Sequence, residues 1–297
     1  MNLTLGPVQY YWPRAALLEF YVGLPHSRLA AIYLGEVVCG RRREMRPADW
    51  LGLARDLART GTEVVLSTQP LIESDADLRA MRRIAENAEF LVEANDMGAV
   101  RLLAGRARFV AGPHLNVYNS ETLAWLAELG AYRWVMPVEL GRDALATLQG
   151  ARPAGTQTEV FGYGRLPLAF SARCFTARHY NLPKDDCQFR CLDHPDGMPL
   201  LTREGQPFLR LNGIQTQSAQ VYDVSQSISE VRELGVDAFR LSPQSSNMNE
   251  IIEAFSRALR GELAGPDLES ALAPHRLGDF GDGYWHGKPG IEHAAAA

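Results

Sequence analysis

The sequence predicts an α/β fold, a TIM-like and somewhat irregular (β/α) barrel with a cysteine-rich insertion. Three observations lead there. Eight short β-type runs punctuate the chain, several of them continuously apolar, as strands covered on both faces should be. Segments with helical apolar spacing separate them, and the unit recurs roughly every 25–35 residues through the first half, as a parallel sheet with helical crossovers requires. The rhythm then breaks once, over residues 164–206, which are rich in Arg, Asp, Pro and Cys and follow a strand. Barrels place their sites on that face. The chain therefore reads as one barrel-like domain over 1–297, with the insertion at 164–206 and an irregular tail over 266–297. An open doubly wound sheet is the second choice.

The elements follow in order. LTLGPV (3–8) is the first strand and PRAALLEFYVGL the helix after it. LAAIYLGE (29–36) leads to PADWLGLARDLARTG (47–61), which has proline at its start and Gly61 after its end. TEVVLST (62–68) precedes ESDADLRAMRRIAENA (73–88), whose acidic opening suits a helix N-terminus. EFLVEAN (89–95) and RFVAGPH (108–114) are the next strands. SETLAWLAELG (120–130) is a helix with Ser120 as predicted N-cap and Gly130 as its stop. YRWVMPV (132–138), QTEVFGY (157–163) and FRLSP (239–243) complete the strands, and SISEVRELG (227–235) and MNEIIEAFSRALRGEL (248–263) the helices.

Composition excludes some functions. The chain has 297 residues, 46% hydrophobic and 22% charged, with net charge −5. An acidic balance disfavours a phosphate backbone as the main partner, so no nucleic acid is expected. The N-terminus lacks a basic segment followed by an apolar core, and no apolar run is long enough to span a bilayer. A cytoplasmic location is expected, where thiols stay reduced.

The four cysteines then carry the chemistry. They are Cys39 and, far along the chain, Cys174, Cys187 and Cys191. KDDCQFRC predicts a short helix with Cys187 and Cys191 at i and i+4 on one face. Cys39 follows a strand, where a barrel delivers side chains to its loop face. Four thiolates suit Zn²⁺ or an iron–sulfur cluster. Dispersed ligands fit a bulky cubane better than one small tetrahedral ion. Arg41, Arg42, Arg43, Arg173, Arg178 and Arg190 lie within four residues of a cysteine and could offset cluster charge. Buried inert thiols are the competing meaning, and a histidine ligand, His179 or His194, is a further alternative. The CxxxCxxC triplet of radical enzymes is absent.

Other residues are weighed likewise. His114 and Asn116 follow a strand at the catalytic end of a barrel, and with Arg42 and Arg178 they are the candidate substrate contacts; a hydrogen-bonded structural histidine is the commoner meaning of His114. The Arg41–Arg43 run could hold a carboxylate donor, or simply be solvated. Glu36 is better read as an ion-pair partner of that run. GYGRLP (162–167) lacks the third glycine of a dinucleotide fingerprint. LSPQSSNMNE (241–250) occupies a usual anion position in barrels. Tyr284, Trp285 and His286 either cover a pocket or pack on the barrel.

Three segments carry a resemblance: YLGEVVCGRRRE (33–44), GYGRLPLAFSARCFTARHYNLPKDDCQFRC (162–191) and GYWHGKPG (283–290). Together they resemble the UbiV proteins of anaerobic ubiquinone biosynthesis, within the collagenase-like peptidase superfamily. The resemblance implies one 4Fe-4S cluster on Cys39, Cys174, Cys187 and Cys191. It implies a heterodimer with a homologous UbiU-like subunit, a UbiT-like lipid-binding accessory protein, and O2-independent hydroxylation of the ubiquinone ring precursor. Prephenate is the oxygen source suggested for relatives that hydroxylate RNA bases. No peptidase apparatus is visible: HExxH and GxSxG are missing, and the only histidines near a cysteine are His179 and His194. The alternatives are a cluster- or zinc-stabilised structural partner of a catalytic homologue, and a peptidase-like or RNA-hydroxylating member of the superfamily.

Overall fold

Eight parallel strands close into a barrel in the computed structural model, which describes residues 1–293. The terminal alanine run at 294–297, a low-complexity segment, lies outside the described residues. Seven barrel strands come in sequence: β1 (Asn2–Leu5), β2 (Ala31–Leu34), β3 (Glu63–Ser67), β4 (Leu91–Ala94), β5 (Phe109–Ala111), β6 (Ala131–Val135) and β7 (Gln157–Gly164). Strands β8 (Pro167–Phe170), β9 (Met198–Leu201), β10 (Pro207–Asn212), β11 (Gln215–Ser218) and β12 (Val221–Asp223) intervene before the eighth, β13 (Ala238–Leu241), and β14 (Phe280–Gly281) comes last. Strand β13 pairs with β1 on one side and β7 on the other, with Ala238 opposite both Asn2 and Glu159, so the barrel has no free edge.

The outer layer comprises α1 (Arg14–Val22), α2 (Pro47–Ala58), α3 (Asp75–Ala85), α4 (Met97–Leu103), α5 (Ser120–Glu128), α6 (Arg142–Gly150), α8 (Ile228–Glu233), α9 (Met248–Leu259) and α10 (Gly265–Leu272); α7 (Phe175–His179) belongs to the insertion. Local chemistry sets the starts. Ser74 accepts from the Asp77 amide at 3.2 Å and Asp96 from Gly98 at 2.7 Å. Asn119, not Ser120, caps α5, accepting from Thr122 at 2.8 Å; Ser120 is the first helical residue and its hydroxyl turns to Glu121. Gly61 and Gly130 terminate their helices with φ of 86° and 112°. Helices α4, α6 and α10 were not anticipated, and α10 opens the tail expected to be irregular.

The main core lies between the barrel wall and its helices, where Ile32, Leu34, Leu66, Phe109 and Trp134 meet Leu53, Leu57, Leu126 and Phe255. The insertion is a four-stranded antiparallel sheet in the order β8-β11-β10-β9, carrying α7 and two turns of 3-10 helix. Among the described residues no helix is long and apolar enough to cross a membrane.

Candidate functional site

The barrel interior is polar where such barrels usually stack branched aliphatics. Glu159 on β7 is fully buried and receives Thr4 Oγ1 at 2.6 Å, Tyr33 Oη at 2.5 Å and Arg240 Nε at 2.8 Å. Arg240 on β13 also pairs with Glu93 on β4 at 2.8 Å and lies over the Tyr33 ring. Arg133 on β6 bonds Tyr33 Oη at 3.0 Å and reaches Glu159 at 3.7 Å. Burial alone would raise the Glu159 carboxyl, but Arg240, Arg133 and the Thr4 hydrogen bond hold it below the usual range. Two carboxylates and two guanidiniums balance.

Above this network is the mouth. His114 lines a narrow cleft there with Asn95, Glu93 and Arg240, and its ring meets Phe170 edge-on at 4.9 Å. Burial, with Arg240 adding to it, lowers the imidazole to about 4, so it is neutral at physiological pH.

The cysteines reach the same end of the barrel from separate segments. Cys39 follows β2 in a turn held by Glu36, whose Oε1 accepts from the Val38 and Cys39 amides at 2.9 and 3.0 Å. Cys174 caps α7, its thiol accepting from the Ala177 amide at 3.4 Å. Cys39 and Cys174 pack against the same small apolar cluster of Val37, Val38 and Ile214. Arg42 is the hub. It is 5% exposed, donates to Gln9 O at 2.9 Å and Asn212 Oδ1 at 2.6 Å, and pairs with Glu36 at 3.6 Å. Its positive charge acts on both the Cys191 and the Cys39 thiols. Both of these thiols in turn interact with Cys174. Burial pushes Cys39 up to about 11 and also raises Cys191, in each case against the pull of Arg42. Burial raises Glu36 too, opposed by Arg42 and the two amides.

Cys187 is brought in through its neighbours. Arg41 pairs with Asp185 at 3.1 Å and donates to its carbonyl at 2.6 Å, stitching the Cys39 turn to the Cys187 segment. Lys184 ties that segment to Glu73 at the start of α3 and to Ala172 O. The helix expected over KDDCQFRC does not form. Gln188 and Phe189 take left-handed φ values of 49° and 53° between two separate 3-10 turns. Two consecutive non-glycine residues in that region cost about 1–2 kcal/mol each. The Phe189 ring against Tyr11, 5.9 Å between centroids, helps hold them there. Among the described residues no group of three or more His, Cys, Asp or Glu side chains is placed to hold a single metal ion.

The model of peptidase family U32 matches residues 24–295. The chain belongs to this family. Two solved structures are similar to it: the U32 peptidase Mk0906, at 12% identity and TM-score 0.43, covering 82% of this chain and 93% of that one, and the spore cortex-lytic enzyme SleL of Bacillus megaterium QM B1551, at 12% identity and TM-score 0.42, covering 85% and 73%.

In this U32 member the remaining candidates fall as follows. Asn116 is exposed in the left-handed conformation that closes a 3-10 turn, a position asparagine tolerates. Arg178 is exposed on α7. Arg190 lies over Tyr180 and pairs with Asp193, while Tyr180 Oη meets His194 Nε2 at 2.8 Å. In GYGRLP, Arg165 is buried and donates to the carbonyls of Ser218, Ala219 and Leu277. The 241–250 loop already holds a carboxylate, since Asp196 of the insertion accepts from the Ser245 amide at 2.9 Å and from its hydroxyl. Trp285 is buried and donates to Glu230 at 2.7 Å, so the tail packs on α8. Sequence reasoning missed Glu93, Arg133, Glu159 and Arg240. The signal was a charge inside four largely apolar strands.

Proposed function

We propose that this U32 family member is a 4Fe-4S-binding subunit that works with a homologous UbiU-like partner in O2-independent hydroxylation of the ubiquinone ring precursor. A UbiT-like lipid-binding protein would present the precursor, and prephenate is the candidate oxygen donor. The supporting observation is the convergence of separate segments on the Cys39 turn. Arg42 lies within electrostatic reach of Cys39 and Cys191, Cys174 packs with Cys39 against Val37, Val38 and Ile214, and the Cys187 segment is stitched to the same turn through Arg41 and Asp185. The donor set fits the group. A cubane binds one thiolate at each of four separated corners, so its ligands need not crowd as they do around one ion. Bound there, the cluster would supply one-electron transfer.

The chain's own residues then have defined tasks. Arg42, itself 5% exposed, offsets thiolate charge, and Glu36 fixes the turn that presents Cys39. His114, neutral and beside Arg240, can accept or donate a hydrogen bond at the mouth without adding charge.

Protein purified without O2 should be brown and carry about four irons per chain. Cys39→Ala, Cys174→Ala, Cys187→Ala and Cys191→Ala should each lose that iron. Zinc in its place would favour a structural partner instead. Deleting the gene and measuring quinone made without O2 tests the pathway; unchanged ubiquinone rejects it.

A further inference from the structure

We propose a second binding site, for a small organic anion with an apolar body of one ring, in the cavity between α2 and α3. The cavity shares Arg42 and Glu36 with the Cys39 turn but is lined by none of the four cysteines. The cavity has a volume of about 330 Å³ and opens beside the ends of β2 and β3. That is at the small end of the roughly 300–1,000 Å³ of ligand pockets, so it suits a single ring. Its inner wall is apolar, built from the buried side chains of Met45, Trp50, Met81 and Ile84.

Its charge is one-sided although the chain as a whole is at −5. Arg43, Arg46, Arg79 and Arg83 stand exposed at the rim, and among the described residues their guanidiniums form no ion pair. The two carboxylates of the lining are engaged elsewhere. Glu36 holds the Cys39 turn and Arg42, while Asp77 accepts from the Glu73 amide and abuts Gly40 so closely that a Cβ there would lie 1.7 Å from its Oδ1.

Three lining residues add a second, independent observation. Gln69 is 8% exposed, and Arg42 and Trp50 are each 5% exposed. Among the described residues each keeps a buried N–H with no partner: Nε2 of Gln69, Nε of Arg42 and Nε1 of Trp50. All three are donors, and no lining residue keeps an orphaned acceptor. Buried donors without partners are costly, and a ligand rich in acceptors relieves that cost. Apolar wall, unsatisfied donors and a cationic rim together select an aryl or cycloalkyl carboxylate, or the corresponding phosphate.

Titration calorimetry on the full chain, at low ionic strength, uses phenylacetate, phenyl phosphate and the neutral 2-phenylethanol. One equivalent of an anion should bind saturably, and the alcohol at least about tenfold more weakly, since charge-assisted hydrogen bonds carry the difference. The tighter of the two anions identifies the headgroup. Arg79→Gln/Arg83→Gln, on the exposed rim, should weaken the anion about tenfold with unchanged thermal unfolding. Ile84→Trp should fill the cavity and abolish binding. Binding should persist in Cys187→Ala, which separates this site from the cluster. Failure of both anions to saturate, equal binding of the alcohol, or indifference to the double arginine change overturns the proposal.

Discussion

Replacing Glu159 with glutamine tests whether the barrel interior is held by charge balance. The native interior sets Glu159 and Glu93 against Arg240 and Arg133, all 7% exposed or less. Glu159→Gln leaves one positive charge in excess, and the new amide NH2 must stand where a carboxylate oxygen had accepted, from Tyr33 Oη on one side or from Thr4 and Arg240 on the other. Breaking a buried pair costs about 3–5 kcal/mol. Arg240 keeps Glu93 at 2.8 Å and Arg133 keeps Glu63 at 3.2 Å, which places the expected loss toward the lower end. With a urea slope of roughly 3 kcal/mol/M, the unfolding midpoint should fall by about 1 M. Arg240→Met alone leaves one negative charge in excess. Glu159→Gln with Arg240→Met restores neutrality, since the charges of Arg133 and Glu93 remain and balance. The double variant should therefore lose less than the sum of the singles, by about 1–3 kcal/mol. Strictly additive losses, or a midpoint unmoved in Glu159→Gln, would refute the reasoning.

Two further outcomes follow from the site. The folded His114 titrates near 4 against an ordinary 6.5, so the unfolded chain binds a proton first. Its contribution is whole above pH 6.5 and declines as pH falls toward 4, by about 3 kcal/mol in total; stability measured across that window should flatten in His114→Gln, and an unchanged slope counts against the burial of the ring. Arg42→Met strands Glu36, Gln9 O and Asn212 in buried surroundings, so about 3–5 kcal/mol should be lost, with the insertion becoming the first segment cut by protease. A variant as resistant as the native chain would show that Arg42 does not join the insertion to the barrel.

The barrel was legible because its strands are local. Runs such as AIYL and EVVLS are apolar over nearly their whole length, and a strand covered on both faces demands no more than that. The short helices α4 and α6 were not legible. The first has 7 residues, and the second opens after a glycine with no side-chain cap. The interior charges were visible as letters but not as a site, because their partners are remote. Thr4 and Glu159 are 155 positions apart, and Tyr33 and Glu159 are 126 apart. Periodicity reports which residues share a face of one element, not which residues meet across a closed sheet. The segment around Cys187 failed for the same reason in reverse. Its local pattern favours a helix, but contacts from Arg41, Tyr11 and Glu73 set its backbone.

That failure bears on how the thiols are held. Four thiols on a preformed helix and a strand end would need little beyond secondary structure to fix them. Here Cys39, Cys174 and the Cys187–Cys191 turn hang on three separate segments, and side-chain links between segments align them: Arg41 with Asp185, Lys184 with Glu73, Arg42 with Asn212. None of these links involves a sulfur atom. The segments that carry the thiols are therefore ordered by contacts within the polypeptide itself. It also follows that the thiols and the barrel core are separable. The main core lies between strands and helices and includes none of the cysteines; Cys39 and Cys174 pack instead on a small separate cluster of Val37, Val38 and Ile214 with Leu71 and Phe170. A single Cys→Ala change should therefore leave the barrel folded, so loss of iron in such a variant, under the proposed cluster binding, reports on ligation and not on collapse.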